Sequence, residues 1–145
     1  MTLSDGLDLD LRNDPTELAR LARAVEHFCA QYALPIRLAF NLNLVLEEVV
    51  VNIMHYAFTE PGNDTIHVHL NVSDGLVQTR VRDAGRAFDP TLVPVPDLSR
   101  NLEQRVVGGL GVHFLRTLMD EVRYTRQNGE NCLYFSKALA PPVGS

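Results

Sequence analysis

The sequence predicts an α+β fold of two layers, in which helices cover one face of a mostly antiparallel sheet. Two observations carry this prediction. The expected strands occur as hairpins, which form antiparallel pairs, and the expected helices come in separate blocks instead of after each strand. At 145 residues, 46% of them hydrophobic, the chain has the length of one domain, which we expect to span residues 1–145.

The N-terminal part predicts one strand followed by two helices. Apolar and acidic residues alternate over residues 7–11, with the period of a half-exposed strand. Asp14 is the expected cap of the first helix, Glu17 completes a capping-box-like pair, and the helix extends to about Ala33. The second helix covers roughly residues 35–58, and its wide apolar surface indicates that other elements cover it.

A hairpin follows, with strands at residues 66–72 and 77–82 joined by the turn at 73–75. Side chains on a strand point alternately to its two faces, so residue parity decides which face each one takes. Asp83 has the parity of Val77 and Val81. We therefore expect this carboxyl group on the buried face, at the end of the strand.

Residues 84–107 show little periodicity and contain three prolines, and loops of this length in a compact domain are usually functional. The glycine-rich stretch at 108–111 ends this segment, and a helix is expected from Val112 to about Met119. Residues 140–145 are expected to form a disordered tail. The closing hairpin has its strands at residues 121–127 and 131–138.

Composition excludes several classes of partner and site. The formal net charge of -5 gives no basic face for a phosphate backbone, and no apolar run approaches the ~20 residues of a membrane span. We expect neither nucleic acid nor membrane as a partner. Cys29 and Cys132 lie far apart, which indicates free thiols in a reducing compartment and a cytoplasmic protein.

The basic residues limit the kinds of nucleotide-binding site that the chain can form, because twelve of the thirteen are arginine and Lys137 is the single lysine. A P-loop needs a lysine directly after its glycines, and a eukaryotic-type protein kinase needs one on an early strand. Lys137 lies near the C-terminus without a glycine frame. Both lysine-based phosphate sites are therefore excluded.

Three groups of residues suggest chemistry, and each has a simpler interpretation. Glu48 and Asn52 are four apart and share one helix face, as a metal ligand and a base could, or as an ordinary surface hydrogen-bonded pair could. Asp83 followed by Gly85 suggests a carboxylate beside a tight backbone, or a common turn. Glycines before a helix favour phosphate binding, although such loops are frequent.

Taken together and in this order, the three groups resemble the N, G1 and G2 boxes of the GHKL ATPase superfamily, whose ATP-binding domain is called the Bergerat fold. The matches are Glu48-x-x-x-Asn52, Asp83-x-Gly85 and Gly109-x-Gly111. Within the superfamily, the short length and the stretch at residues 108–122 look like the bacterial anti-sigma-factor serine/threonine kinases. The resemblance extends from about residue 7 to residue 139.

The resemblance implies a role for each matching residue. Asn52 would coordinate Mg²⁺, and Glu48 would be the general base that activates the attacking hydroxyl group. Asp83 would accept a hydrogen bond from the adenine amino group, with Gly85 letting the backbone pass beside the base. Asn131 stands where superfamily members often have a threonine near adenine, so the sequence departs from the pattern there.

The resemblance also makes residues 86–107 the ATP lid. Gly109 and Gly111 would let the lid and the helix N-terminus close on the phosphates. The lid contains three candidates to meet phosphate charge in place of a lysine, namely Arg86, Arg100 and Arg105, and Arg105 is the one we assign to the nucleotide.

The activity that follows from the resemblance is that of an ATP- and Mg²⁺-dependent serine/threonine protein kinase that acts as an anti-sigma factor. Its substrate would be a small anti-sigma-antagonist protein, a sigma factor is a further candidate partner, and a homodimer is compatible with the sequence. The alternative is an ATP-binding interaction module that switches between states without transferring phosphate.

Overall fold

The computed structural model describes residues 6–58, 62–92 and 109–139. Strand β1, Gly6–Asn13, precedes the helices α1, Leu18–Gln31, and α2, Ile36–Tyr56. The hairpin β2–β3 covers Gly62–Ser73 and Leu76–Asp83. Helix α3, Gly109–Leu118, leads to the hairpin β4–β5, Glu121–Gln127 and Glu130–Ala138. Short 3-10 turns lie at Pro15–Glu17 and Pro90–Leu92.

The five described strands form one antiparallel sheet in the order β1-β2-β3-β5-β4. Its inner face packs with α1, α2 and α3 around one core, because inward strand residues such as Val68, Val81 and Phe135 alternate with polar outward ones. The helices bury the complementary stripe, including Val25, Val45 and other apolar residues at helical spacing. The predicted two-layer α+β fold is confirmed.

Several predicted element ends differ from the structure, and strand β2 begins at Gly62, four residues before its predicted start. The segment at Pro15–Glu17 is a 3-10 turn, and the α-helix begins only at Leu18. Asp14 does cap this turn, since its side chain accepts from the Thr16 N–H at 3.0 Å, but Glu17 binds the Arg12 N–H and not that of Asp14. The predicted capping-box pair is therefore wrong. The end of β1 lies close enough to Glu17 that the Arg12 N–H of this strand donates to its carboxylate instead.

Helix α3 begins at Gly109, three residues before the predicted start, so both glycines of the third group lie in its first turn. The N–H groups of a first turn have no intrahelical acceptor in any case, so the ends of a helix depend less on residue propensity than its interior does. Packing of α3 against α2 supplies the stabilisation that glycine propensity lacks. The predicted lid is described only as far as Leu92, and the predicted tail lies outside the described residues.

Glu17 provides a pH-dependent contribution to stability. Hydrogen bonds from the Arg20 side chain, followed by the Arg12 N–H, lower the pKa of Glu17 to about 2. A carboxylate whose pKa is lower in the folded state stabilises the fold above its unfolded pKa, here 4.5, and this contribution is lost as pH falls towards 2. We expect Glu17→Gln to flatten the pH dependence of the urea midpoint over this range.

The matched control is Glu26→Gln, which changes an exposed glutamate on the same helix α1. Its midpoint should fall with pH in parallel with that of the unaltered protein. Parallel curves for the Glu17 variant as well would contradict the assignment.

Candidate functional site

Asp83 lies at the end of β3 on the inner face of the sheet, with 3% of its surface exposed. Its Oδ1 accepts two hydrogen bonds, from the Gly85 N–H and from the Asn131 side-chain amide, both at 2.9 Å. Burial raises the pKa of Asp83, and these two hydrogen bonds oppose that rise. Both bonds go to Oδ1, so within the described residues no side chain or backbone group is seen to donate to Oδ2.

Asn131 is the centre of the polar network around this carboxylate. It lies on β5 directly opposite Asp83, and besides Asp83 its amide group donates to the Arg86 carbonyl at 2.9 Å. Its carbonyl oxygen accepts from the Phe88 N–H at 3.1 Å and from the Tyr124 hydroxyl at 2.5 Å. A single buried side chain therefore orients the carboxylate and ties the loop after β3 to the sheet.

The same loop is tied to the C-terminal end of α2. The Arg86 N–H donates to the Ala57 carbonyl at 2.9 Å, and the Arg86 Nε donates to the Tyr56 carbonyl at 2.6 Å. The rings of Tyr56 and Phe88 stack with their centroids 5.2 Å apart. These contacts place the strand end beside the helix that carries Glu48 and Asn52.

Gly85 is required by this close approach. A Cβ atom at position 85 would lie 2.4 Å from the Ala57 carbonyl oxygen and 2.8 Å from the Ala57 Cβ, both below any normal contact distance. The predicted reason for the glycine was space beside a base. The structure gives an additional reason, which is packing against the end of α2.

We expect Gly85→Ala to lower the free energy of unfolding by about 2–3 kcal/mol, since backbone atoms must move to admit the methyl group. Urea unfolding measures this loss. Gly129→Ala is the control, because position 129 has a positive φ of 79° but open space around it, so only the backbone strain of about 1 kcal/mol applies. Equal losses in the two variants would contradict the steric argument.

Glu48 and Asn52 lie one turn apart on α2. Asn52 is fully buried, whereas Glu48 is half-buried. Burial, with a smaller effect from the neighbouring Glu47 charge, raises the pKa of Glu48. A carboxylate with a raised pKa is a stronger base than one with an ordinary pKa. The side-chain oxygen of Asn52 is a ligand of the kind that Mg²⁺ prefers.

The structure thus brings the first two predicted groups together and places the third at the start of α3, which packs against α2. Of the lid arginines, Arg86 is engaged with the end of α2 as described above. Arg100 and Arg105 lie outside the described residues, so the assignment of Arg105 to the nucleotide stays a prediction.

The two histidines of β2 give no metal site in the described part of the chain. His67 Nδ1 lies 2.5 Å from Asp10 Oδ1, and His69 Nδ1 lies 2.8 Å from Asp8 Oδ1, on the exposed face of the sheet. Across residues 6–58, 62–92 and 109–139, no three His, Cys, Asp or Glu side chains gather as metal ligands would.

Sequence reasoning missed most of the network around Asp83. It placed Asn131 at a departure from the family pattern but gave it no role, and it gave none to Tyr124 or Arg126. Arg126 Nη1 donates to the Gly85 carbonyl at 2.8 Å and to Asn131 Oδ1 at 3.1 Å. The available signal was an asparagine at a position that strand parity makes inward-facing, because a buried amide needs partners.

This combination, a buried strand-end carboxylate, a following glycine and a helix bearing a Glu–Asn pair, defines an ATP-binding domain of the histidine-kinase type. The chain matches the Histidine kinase-like ATPase domain family over residues 11–137. It therefore belongs to this family, and the predicted membership is confirmed.

Its relatives are named as kinases. The chain is 33% identical over 117 residues to the serine/threonine-protein kinase BtrW of Bordetella bronchiseptica, covering 81% of this chain and 82% of the relative. It is 30% identical over 94 residues to the serine-protein kinase RsbW of Bacillus subtilis, covering 61% of this chain and 58% of that protein.

A solved structure has the same fold. The structure of the RsbU and RsbW domains of Rv1364c from Mycobacterium tuberculosis superposes with a TM-score of 0.69 at 16% identity, covering 97% of this chain and 34% of that one. Among the helices of the described residues, none is both long and apolar enough to cross a membrane.

Proposed function

We propose that this chain is a serine/threonine protein kinase that transfers the γ-phosphoryl group of ATP to a small anti-sigma-antagonist protein. The observation that carries the proposal is the juxtaposition of two features. A buried carboxylate with one oxygen held by Gly85 and Asn131 lies beside the helix that bears Glu48 and Asn52. The names of the relatives support the same activity.

Asp83 is the group that selects adenine. With Oδ1 occupied by two donors, Oδ2 is the oxygen that accepts from the 6-amino group of the base. Guanine carries a carbonyl oxygen in place of the 6-amino group. This oxygen and Oδ2 are both hydrogen-bond acceptors, so they would repel each other. Burial strengthens this discrimination, because an unpaired buried polar group costs about 1–3 kcal/mol.

Asn52 is the residue that would hold Mg²⁺, and its oxygen on a rigid helix fits the preference of this ion for hard ligands. When bound, Mg²⁺ neutralises charge on the transferring phosphoryl group. Glu48 accepts the proton of the attacking Ser or Thr hydroxyl group. The hydroxyl oxygen bonds to the γ-phosphorus while the bond from phosphorus to the β–γ bridging oxygen breaks and ADP leaves.

The proposed setting is the cytoplasm, where the protein regulates transcription through its partners and without contacting nucleic acid. Both cysteines, Cys29 and Cys132, are free thiols, which agrees with a reducing compartment.

A sigma factor is the proposed second partner, and a homodimer is the proposed assembly. One domain over residues 1–145 is the proposed organisation.

The proposal is tested with ATP labelled on its γ-phosphate and the antagonist-like protein encoded nearest to this chain's gene. We expect label on a serine or threonine of that protein, and only with Mg²⁺ present. In parallel, Mg-ATP at about a hundredfold its Kd should raise the Tm by about 5–10 °C, and Mg-GTP should raise it little. A Tm shift with ATP but no labelled protein would favour the switch module instead.

A further inference from the structure

The face of the sheet that is turned away from the helices carries a groove of about 300 Å³. We refer to it as the basic groove, because three arginines and no carboxylate belong to its lining within the described residues. It lies across β3, β5 and β4, on the opposite side of the sheet from Asp83. The lining residues are Arg80, Arg82, Arg123, Thr125, Gln127, Cys132, Leu133 and Tyr134.

A tyrosine positions two of the arginines. Tyr134 lies directly opposite Arg80 on β3 and directly opposite Arg123 on β4, so the three side chains form a row across the sheet. The guanidinium carbons of Arg80 and Arg123 lie 5.3 and 4.5 Å from the ring centroid. Cation–π attraction thus holds two like charges against one ring, where an anion between them would relieve their repulsion.

The positive charge of the groove is only weakly compensated. Arg80 has no carboxylate within 4.0 Å among the described residues, and Arg82 comes no closer than 3.9 Å to Glu130. Arg123 pairs with Glu121 at 3.0 Å, but both side chains are about half exposed or more, and such pairs contribute little. The groove is therefore a local positive patch on a chain whose net charge is -5.

We propose that the basic groove binds an acidic, extended segment of a partner protein. A guanidinium group matches a carboxylate with two parallel hydrogen bonds. Arg80 and Arg82 are two residues apart on one strand face, which is the period at which an extended peptide presents carboxylates to one side. The site is distinct from the nucleotide site and does not depend on the kinase activity proposed above.

Two other occupants fit less well. A second copy of the chain could offer Asp8 and Asp10, but these carboxylates already contact His67 and His69 of their own chain, at 2.5 to 3.2 Å. A nucleic acid would meet the repulsion of a net negative chain.

The test is fluorescence anisotropy with a short labelled peptide in which glutamate alternates with threonine. We expect this peptide to bind the full chain, and its glutamine counterpart not to bind. Joint replacement Arg80→Gln and Arg123→Gln should weaken binding about tenfold, and binding should fall as salt is raised. Arg23→Gln, an exposed arginine on α1, is the matched control and should bind as the unaltered chain does.

Amide chemical shifts provide the second readout. Shifts induced by the peptide should map to β3, β4 and β5, leave α2 unchanged, and persist in the Glu48→Gln variant. Equal binding by the double variant, or by the glutamine peptide, overturns the proposal. So does tighter binding of a single-stranded oligonucleotide, and so does self-association of the chain that the double variant abolishes, because a second copy would then fill the groove.

Discussion

Replacing Glu48 by glutamine is expected to abolish phosphoryl transfer while ATP binding is retained. Glutamine has the size of glutamate but cannot accept the hydroxyl proton, so the rate should fall by about 10²–10⁴-fold, the range for loss of a positioned general base. The half-buried side chain keeps its place on α2, and the Tm shift with Mg-ATP should remain. Label transferred to the antagonist protein at saturating ATP measures the effect.

Glu47→Gln is the matched control, because it removes the same charge from an exposed neighbour on the same helix. It should transfer phosphate at close to the original rate. A Glu48 variant as active as this control would remove Glu48 from the mechanism. If neither the variant nor the original chain ever labels a protein, the chain acts as a binding module.

Replacing Asp83 by asparagine is expected to erase most of the Tm shift produced by Mg-ATP without unfolding the protein. The amide oxygen can take the place of Oδ1 and keep the hydrogen bonds from Gly85 and Asn131. The amide nitrogen then takes the place of Oδ2 and presents a donor to the adenine amino group, which is also a donor. Burial no longer opposes a charge at this position, so the Tm without nucleotide should be unchanged or higher.

The control for this variant is Asp74→Asn in the exposed turn between β2 and β3, where asparagine tolerates the positive φ of 55°. It should keep the full Tm shift. Asn131→Ala is the companion variant, and it should lower both the shift and the stability, because it leaves buried partners such as Asp83 without one hydrogen bond. A full ATP response in Asp83→Asn would contradict the adenine contact.

Much of the fold could be predicted because the local signals are strong. Strand parity put Asp83 on the inner face, and the structure finds it 3% exposed. The turns at residues 73–75 and 128–130 defined both hairpins, and the apolar surface of the second helix predicted its burial. Element ends were less accurate: glycines at 109 and 111 suggested a loop, yet they lie in the first turn of α3, where contact with α2 outweighs propensity.

The candidate site was predictable only in part. The sequence contains the Glu48–Asn52 spacing because four residues make one helical turn, and that spacing needs no tertiary information. The partners of Asp83 could not be predicted in the same way. Asn131 is 48 residues away, and only the pairing of β3 with β5 brings its amide to the carboxylate.

The sequence by itself determined the layered fold, the inward position of Asp83 and the exclusion of lysine-based nucleotide sites. The fold and the position of Asp83 follow from short-range periodicity. The exclusion follows from composition, because folding cannot provide a lysine that the sequence does not contain. The tertiary structure decided which groups hold Asp83, why position 85 must be glycine, and that two arginines, Arg80 and Arg123, converge on the ring of Tyr134 on the outer face. Each of these depends on contacts between elements distant in the chain, whose register and packing are set only when the whole core is assembled.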